Sequence, residues 1–178
     1  MNIIYIQKYS LLIIALFLLG GCSPRYDYTI HKPKVKYAKP SQYALQSMLQ
    51  ESQGKPYVWA EEGPRSFDCS GLTYYSYASM NLWLPRRAIE QSRVGQTVSI
   101  SALQYGDLIF FDTSGKGRVN HVGIYIGNGF FRHASSRKDK VMTSTIRKGF
   151  YRHRIVVCKR VIPQKHKVIK SKNWVDFF

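Results

Sequence analysis

Cys69 lies in FDCSGLTYY, residues 67–75, between Asp68 and Ser70, where the pattern opens a helix. A cysteine there can be a core thiol, a metal ligand, half of a disulfide or a nucleophile. The setting suits a nucleophile. Thiolates attack and thiols hardly do, and the orphan N–H groups of a helix's first turn favour the thiolate. Asp68 is a good N-cap, which puts Cys69 in that first turn with its own N–H free for a developing oxyanion. The charge of Asp68 opposes ionisation of the sulfur, so the chemistry requires a histidine partner.

Two histidines stand in NHVGIYIGNGFFRHAS: His121 and His133. The stretch reads as strand, Gly-Asn-Gly turn, strand, and hairpin parity relates the two rings. A two-residue loop, Asn128-Gly129, sets His133 opposite Ile124 and puts the imidazoles on different faces. A three-residue loop, Gly127-Asn128-Gly129, sets His133 opposite Gly123 and puts them on one face. Their Cβ atoms would then be about 7 Å apart. Gly123 is expected to leave room there for the Cys69 helix to approach. The resulting relay has Cys69 attacking, His121 carrying the proton and His133 fixing the tautomer of His121. Spacing alone also allows two unrelated histidines on a half-buried hairpin. His31, His153 and His166 have no comparable setting and read as surface or tether residues.

The remaining cysteines narrow the chemistry. Cys158, in RIVVCKRVI, reads as a buried strand thiol. It and Cys69 could pair, but two cysteines make no disulfide framework. No C-x-x-C or clustered Cys/His spacing exists, so neither a metal site nor a cofactor is expected.

The elements that must position these groups follow from periodicity. Ser41 is a plausible N-cap for a helix with Ala44, Leu45, Met48 and Leu49 on one face and Gly54 as its stop. A second helix is predicted from Cys69 to Met80 and a third over Ala88–Val94. Residues 106–112, 121–127, 129–135, 141–146 and 154–162 read as strands. Helices first and an antiparallel meander after predict an α+β domain over residues 41–162 with helices packed on one sheet.

The flanks speak to location. Residues 1–21 carry one Lys, a short apolar run and small residues, the pattern of a secretory leader too short to span a bilayer. LLGGC resembles a bacterial lipobox, which implies cleavage before Cys22, acylation of its thiol and tethering to a membrane surface. Ser23 after that cysteine points to the outer membrane if the cell is Gram-negative. Residues 22–40 are Pro-rich and basic, a flexible tether whose mean span is roughly 25 Å. Residues 163–178 form a basic tail with an aromatic end. The chain of 178 residues carries a formal charge of +17. Removing the leader takes only Lys8, leaving 26 Lys and Arg against 10 Asp and Glu, a formal +16. That balance favours polyanionic surroundings. Export argues against nucleic acid and for anionic lipids, wall polymers and the carboxylates of wall peptides. A monomer is expected.

Four ordered blocks, GKPYVWAEEGPRSFDCSGL, LPRRAIEQS, LQYGDLIFF and HVGIYIGNGFFRHAS, resemble the NlpC-type cell-wall peptidases over about residues 41–162. The resemblance implies a circularly permuted papain-like domain and a cysteine peptidase acting on peptidoglycan stem peptides. It matches Cys69 to the nucleophile, His121 to the base and His133 to the orienting residue. It matches Tyr57 to a tyrosine lining the site, Asp68 and Ser70 to residues that help hold substrate, and Arg86 to the arginine of the LPR block, a candidate for a substrate carboxylate. Two departures stand out. Where the family commonly has Tyr-x-Trp-Gly-Gly, this chain has Tyr57-Val58-Trp59-Ala60-Glu61, and Arg87 replaces a small hydroxyl residue. The lone-domain lipoprotein layout favours cleavage of D-Ala–meso-diaminopimelate cross-links, with γ-D-glutamyl–diaminopimelate next. A non-catalytic wall-binding lipoprotein and an acyltransferase are the alternatives on the same fold.

Overall fold

A computed structural model describes residues 32–162. The leader, Cys22 with most of the tether, and the basic tail lie outside the described residues, as do His31 and His166.

Helix α1, Gln42–Ser52, starts where expected: the Ser41 hydroxyl accepts from the Ala44 N–H, and Ala44, Leu45, Met48 and Leu49 are buried. Just upstream, the N–H groups of Lys36 and Tyr37 both donate to the Ser79 carbonyl, and Lys36 pairs with Glu51 at 2.6 Å. The end of the expected tether, at Lys36 and Tyr37, is therefore docked onto the domain before Ser41. Helix α2 is Cys69–Ala78 and helix α3, Ala88–Gln91, is a single turn.

Six strands follow: β1 Gln96–Val98, β2 Leu108–Phe111, β3 His121–Gly127, β4 Phe130–Ser135, β5 Lys140–Thr145 and β6 Ile155–Arg160. All pairs are antiparallel, in the order β1-β6-β2-β3-β4-β5. Strands β2 to β5 form the expected meander. Strand β6 departs from it, crossing back to pair with β2. An ion pair between Arg160 and the buried Asp107 pins that return at 2.7 Å. The short, polar β1 escaped the sequence reading because QTV carries no hydrophobic alternation.

The helices pack on one sheet face. Leu108, Phe110, Val122 and Ile124 meet Ala44, Leu45, Leu49, Tyr77 and Met80 in one cluster. A second cluster on the opposite face joins Ile109, Phe111, Phe131, Ile146 and Cys158 with Tyr125 and Tyr151. Cys158 is a buried free thiol, as its strand pattern predicted. One sheet edge is covered. The Gly54 N–H donates to the Val141 carbonyl, Val141 N–H to Lys55 and Tyr57 N–H to Asp139, so residues 54–57 run as a short extra rung beside β5. The architecture is α+β.

Candidate active site

Two rungs of chain place the cysteine. Residues 56–58 exchange backbone hydrogen bonds with Phe67, and the Asp68 N–H donates to the Glu61 carbonyl at 2.7 Å. Asp68 then caps α2 with Oδ1 accepting from the Gly71 N–H at 2.6 Å. Gly71 has to be glycine: a Cβ there would lie 2.1 Å from the Glu61 carbonyl oxygen. The result is a half-buried Cys69 as first residue of α2.

The sulfur lies at the head of β3. The backbone N–H groups of Val122 and of Ser70 both point to it and favour its charge. Burial and the neighbouring Asp68 outweigh them and push the thiol up to about 11. The pull of the helix terminus toward the thiolate, expected from the sequence, is thus opposed by burial and by Asp68.

His121 is the residue next to Val122, at the start of β3. Its approach is fixed by the preceding loop, where Asp112 accepts from the N–H groups of Ser114, Gly115 and Gly117. His121 Nε2 and His133 Nδ1 lie 2.9 Å apart with the rings perpendicular. The hairpin reaches this arrangement by a route neither loop length anticipated. Its tip is the two-residue turn Asn128-Gly129, both residues at positive φ, with Gly127 opposite Phe130. A bulge between Tyr125 and Gly127 then shifts the register, so that Tyr125 faces Phe131 and Ile124 faces Arg132. The imidazoles share a face as in the three-residue alternative. Gly123 does not make room for the helix. Its Cβ would lie 2.4 Å from the Phe131 ring, so the space belongs to that ring while α2 packs on the other face.

Both imidazoles are buried. Burial lowers His121 to about 4 against the opposing pull of Asp68. Burial, His121 and Arg132 lower His133 to about 2. On its far side His133 Nε2 lies 2.9 Å from Ser144 Oγ on β5. Tyr151, from the β5–β6 connection, lays its ring nearly parallel to His121 at 6.0 Å and edge-on to His133 at 5.2 Å. Its neighbour Phe150 is held between the guanidinium groups of Arg154, at 4.0 Å, and Arg137, at 5.1 Å.

Tyr57 is half-buried near Cys69; burial, then Cys69 and Asp68, push its phenol up to about 12. Arg86 is not an open carboxylate clamp. Its Nη1 and Nη2 donate to the two oxygens of Asp68 at 3.0 and 2.8 Å, Nε donates to Glu62 at 3.0 Å, and Nη1 also reaches Ser70 Oγ at 3.1 Å. It braces the cap beside the nucleophile and offsets the charge of Asp68. Ser70 and Asp68 are likewise engaged with each other at 3.2 Å. Gln91 ties α3 to this region, accepting from Thr73 and donating to the Ser70 and Pro85 carbonyls. His153 is exposed, and no group of three or more His, Cys, Asp or Glu among the described residues could hold a metal.

Sequence reasoning missed Glu62, Gln91, Ser144 and Tyr151. Strand parity would have put Ser144 on the His133 face only with the β4–β5 register known. Nothing in KGFYRHR marks Tyr151 as turned inward.

Residues 54–160 match the sequence profile of the NlpC/P60 family. The chain belongs to the NlpC/P60 family. Among similar proteins are the murein DD-endopeptidase MepH of Escherichia coli, 36% identical over 139 residues, which cover 76% of this chain and 50% of that one. The bifunctional muramidase/DL-endopeptidase CwlT of Bacillus subtilis is 35% identical, with 71% and 40% covered. The chain thus spans half or less of the length of these relatives. The crystal structure of an NlpC/P60 family protein from Bacillus cereus superposes with a TM-score of 0.66 at 36% identity, over 70% of this chain and 41% of that one. The papain-like α+β fold expected from the four blocks is therefore this chain's fold.

Proposed function

We propose that this NlpC/P60 domain is a peptidoglycan endopeptidase that hydrolyses stem-peptide amides through a Cys69 acyl-enzyme. The observation that carries the reading is a helix-capped sulfur that meets the N–H of Val122, the residue after His121, whose ring is hydrogen-bonded to a second imidazole. As the sulfur attacks the amide carbon, its proton passes to His121 Nδ1, the nitrogen not engaged with His133. The oxyanion forms near the Cys69 N–H, an orphan of the first turn, and the Tyr57 hydroxyl. His121 then protonates the leaving amine as the C–N bond breaks and a thioester remains. Water, deprotonated by His121, cleaves the thioester and restores the thiol.

The likeness to a DD-endopeptidase favours the D-Ala–meso-diaminopimelate cross-link; the likeness to a DL-endopeptidase supports the γ-D-glutamyl–diaminopimelate bond as second choice. The lipobox-like LLGGC supports cleavage before Cys22 and lipid anchoring at the cell envelope. Digestion of purified sacculi by wild type and Cys69→Ala, with products identified by mass, tests the activity and names the bond. The expected result is release by wild type alone; equal release by both proteins rejects the proposal. Loss of membrane association in Cys22→Ala is the expected mark of the anchor.

A further inference from the structure

We propose that Ser144 is a positioning residue that holds His133 in line with His121 through a hydrogen bond at the far nitrogen of the His133 ring. The inference rests on the reading of His121 as the base for Cys69.

His121 Nε2 faces His133 Nδ1 at 2.9 Å, and His133 Nε2 faces Ser144 Oγ at 2.9 Å. Two neutral imidazoles meeting through these atoms place one proton between them, so two arrangements exist. In the first, His133 Nδ1–H donates to His121, and Ser144 donates to His133. His121 then holds its own proton on Nδ1, towards the thiol, and has no site to receive another. In the second, His121 Nε2–H donates to His133 Nδ1, and His133 Nε2–H donates to Ser144 Oγ. His121 Nδ1 is then bare and ready for the thiol proton. Only the second arrangement is competent.

The hydroxyl can serve either arrangement, as donor or as acceptor, so it holds the ring in line; without it His133 Nε2 is a buried polar atom that has lost this partner in both, and the ring is free to turn away from His121. A charged imidazole offers no escape, because His121 and His133 are both buried. The titratable and charged groups facing the line are Cys69 and Asp68 from α2, Arg132 from β4, Tyr151 from the β5–β6 connection and Tyr57 beside the sulfur.

Ser144→Thr keeps the hydroxyl, and Ser144→Val matches that threonine in shape with a methyl in place of the hydroxyl, so the two variants differ only in the hydrogen bond; both suit a strand. The rate of Cys69 alkylation by iodoacetamide, followed by peptide mass across pH, reads the thiol–imidazole pair without any wall substrate. Ser144→Thr is expected to follow wild type. Ser144→Val, folded by thermal melting, is expected to alkylate about 3- to 10-fold more slowly near neutral pH, the size of one net hydrogen bond, with kcat reduced alike and KM unchanged. Histidine ¹⁵N shifts of the full chain are expected to show His121 protonated on Nε2 and bare on Nδ1. A Ser144→Val profile superimposed on wild type, or a proton on His121 Nδ1, overturns the proposal. Sacculus digestion is scored separately: its failure in wild type with the alkylation profile intact removes the proposed substrate and leaves the role of Ser144 standing.

Discussion

At Cys69, burial and Asp68 raise the thiol while burial lowers both imidazoles, which suits the proposed step in which the proton leaves the sulfur as it attacks. The same shifts make stability depend on pH with a definite sign. A histidine that titrates near 6.5 in the unfolded chain titrates at about 4 as His121 in the fold. Between those values the unfolded chain binds more protons, so stability rises with pH and is lost as pH falls through the window. His133 extends the loss further into acid. Denaturant midpoints are expected to drop steadily from pH 7 to about pH 4.5, and less so in His133→Asn; a flat wild-type profile would contradict the burial argument. Arg86→Ala should be costly for a different reason. It removes the guanidinium that pairs with both Asp68 and Glu62, whose side chains are each about nine-tenths buried, and removal of one partner of a buried pair costs about 3 kcal/mol or more. Urea titration checks this. Arg86→Lys is expected to recover only part, since a point charge cannot serve both oxygens of Asp68 and Glu62 together.

The Tyr57–Glu62 loop shows what a departure from a family pattern does at the level of an element. Ala60 stands where relatives of this type commonly carry glycine, and it sits at φ +66°, in the left-handed region. Ala60→Gly is expected to stabilise the protein by about 1 kcal/mol by relieving that strain, read as a raised Tm at unchanged kcat. Gly71→Ala should do the reverse, since its Cβ would collide with the Glu61 carbonyl and displace the cap from Cys69. The helices, five of the six strands among the described residues and the pairing of His121 with His133 were legible in the sequence because each rests on a local rule: capping, alternation or hairpin parity. The parity argument reached the right face although the loop length was not foreseen, because the bulge between Tyr125 and Gly127 restores the register. What stayed hidden depends on distant chain. The return of β6 to β2, the commitment of Arg86 to Asp68 and Glu62, and the inward turn of Tyr151 each join residues that no local pattern connects.

Across the whole molecule, several of the few carboxylates are consumed internally, at Asp68 and Glu62 by Arg86, at Asp107 by Arg160 and at Glu51 by Lys36. Among the described residues, Lys and Arg therefore far outnumber the acids left to match them. Retention on isolated sacculi is expected to weaken sharply between about 50 and about 500 mM salt, as screening shortens the reach of surface charge; salt-independent retention in a co-sedimentation assay would assign binding to the cleft alone. The rung formed by residues 54–57 along β5 has one more consequence. Tyr57 is bolted to the same sheet that carries His133, so the chain beside the sulfur cannot swing outward without unzipping an edge. Under the proposed function, entry to the sulfur is then a matter of the outline of the incoming peptide and not of a moving flap, and a slim, extended chain is the shape such a fixed edge favours.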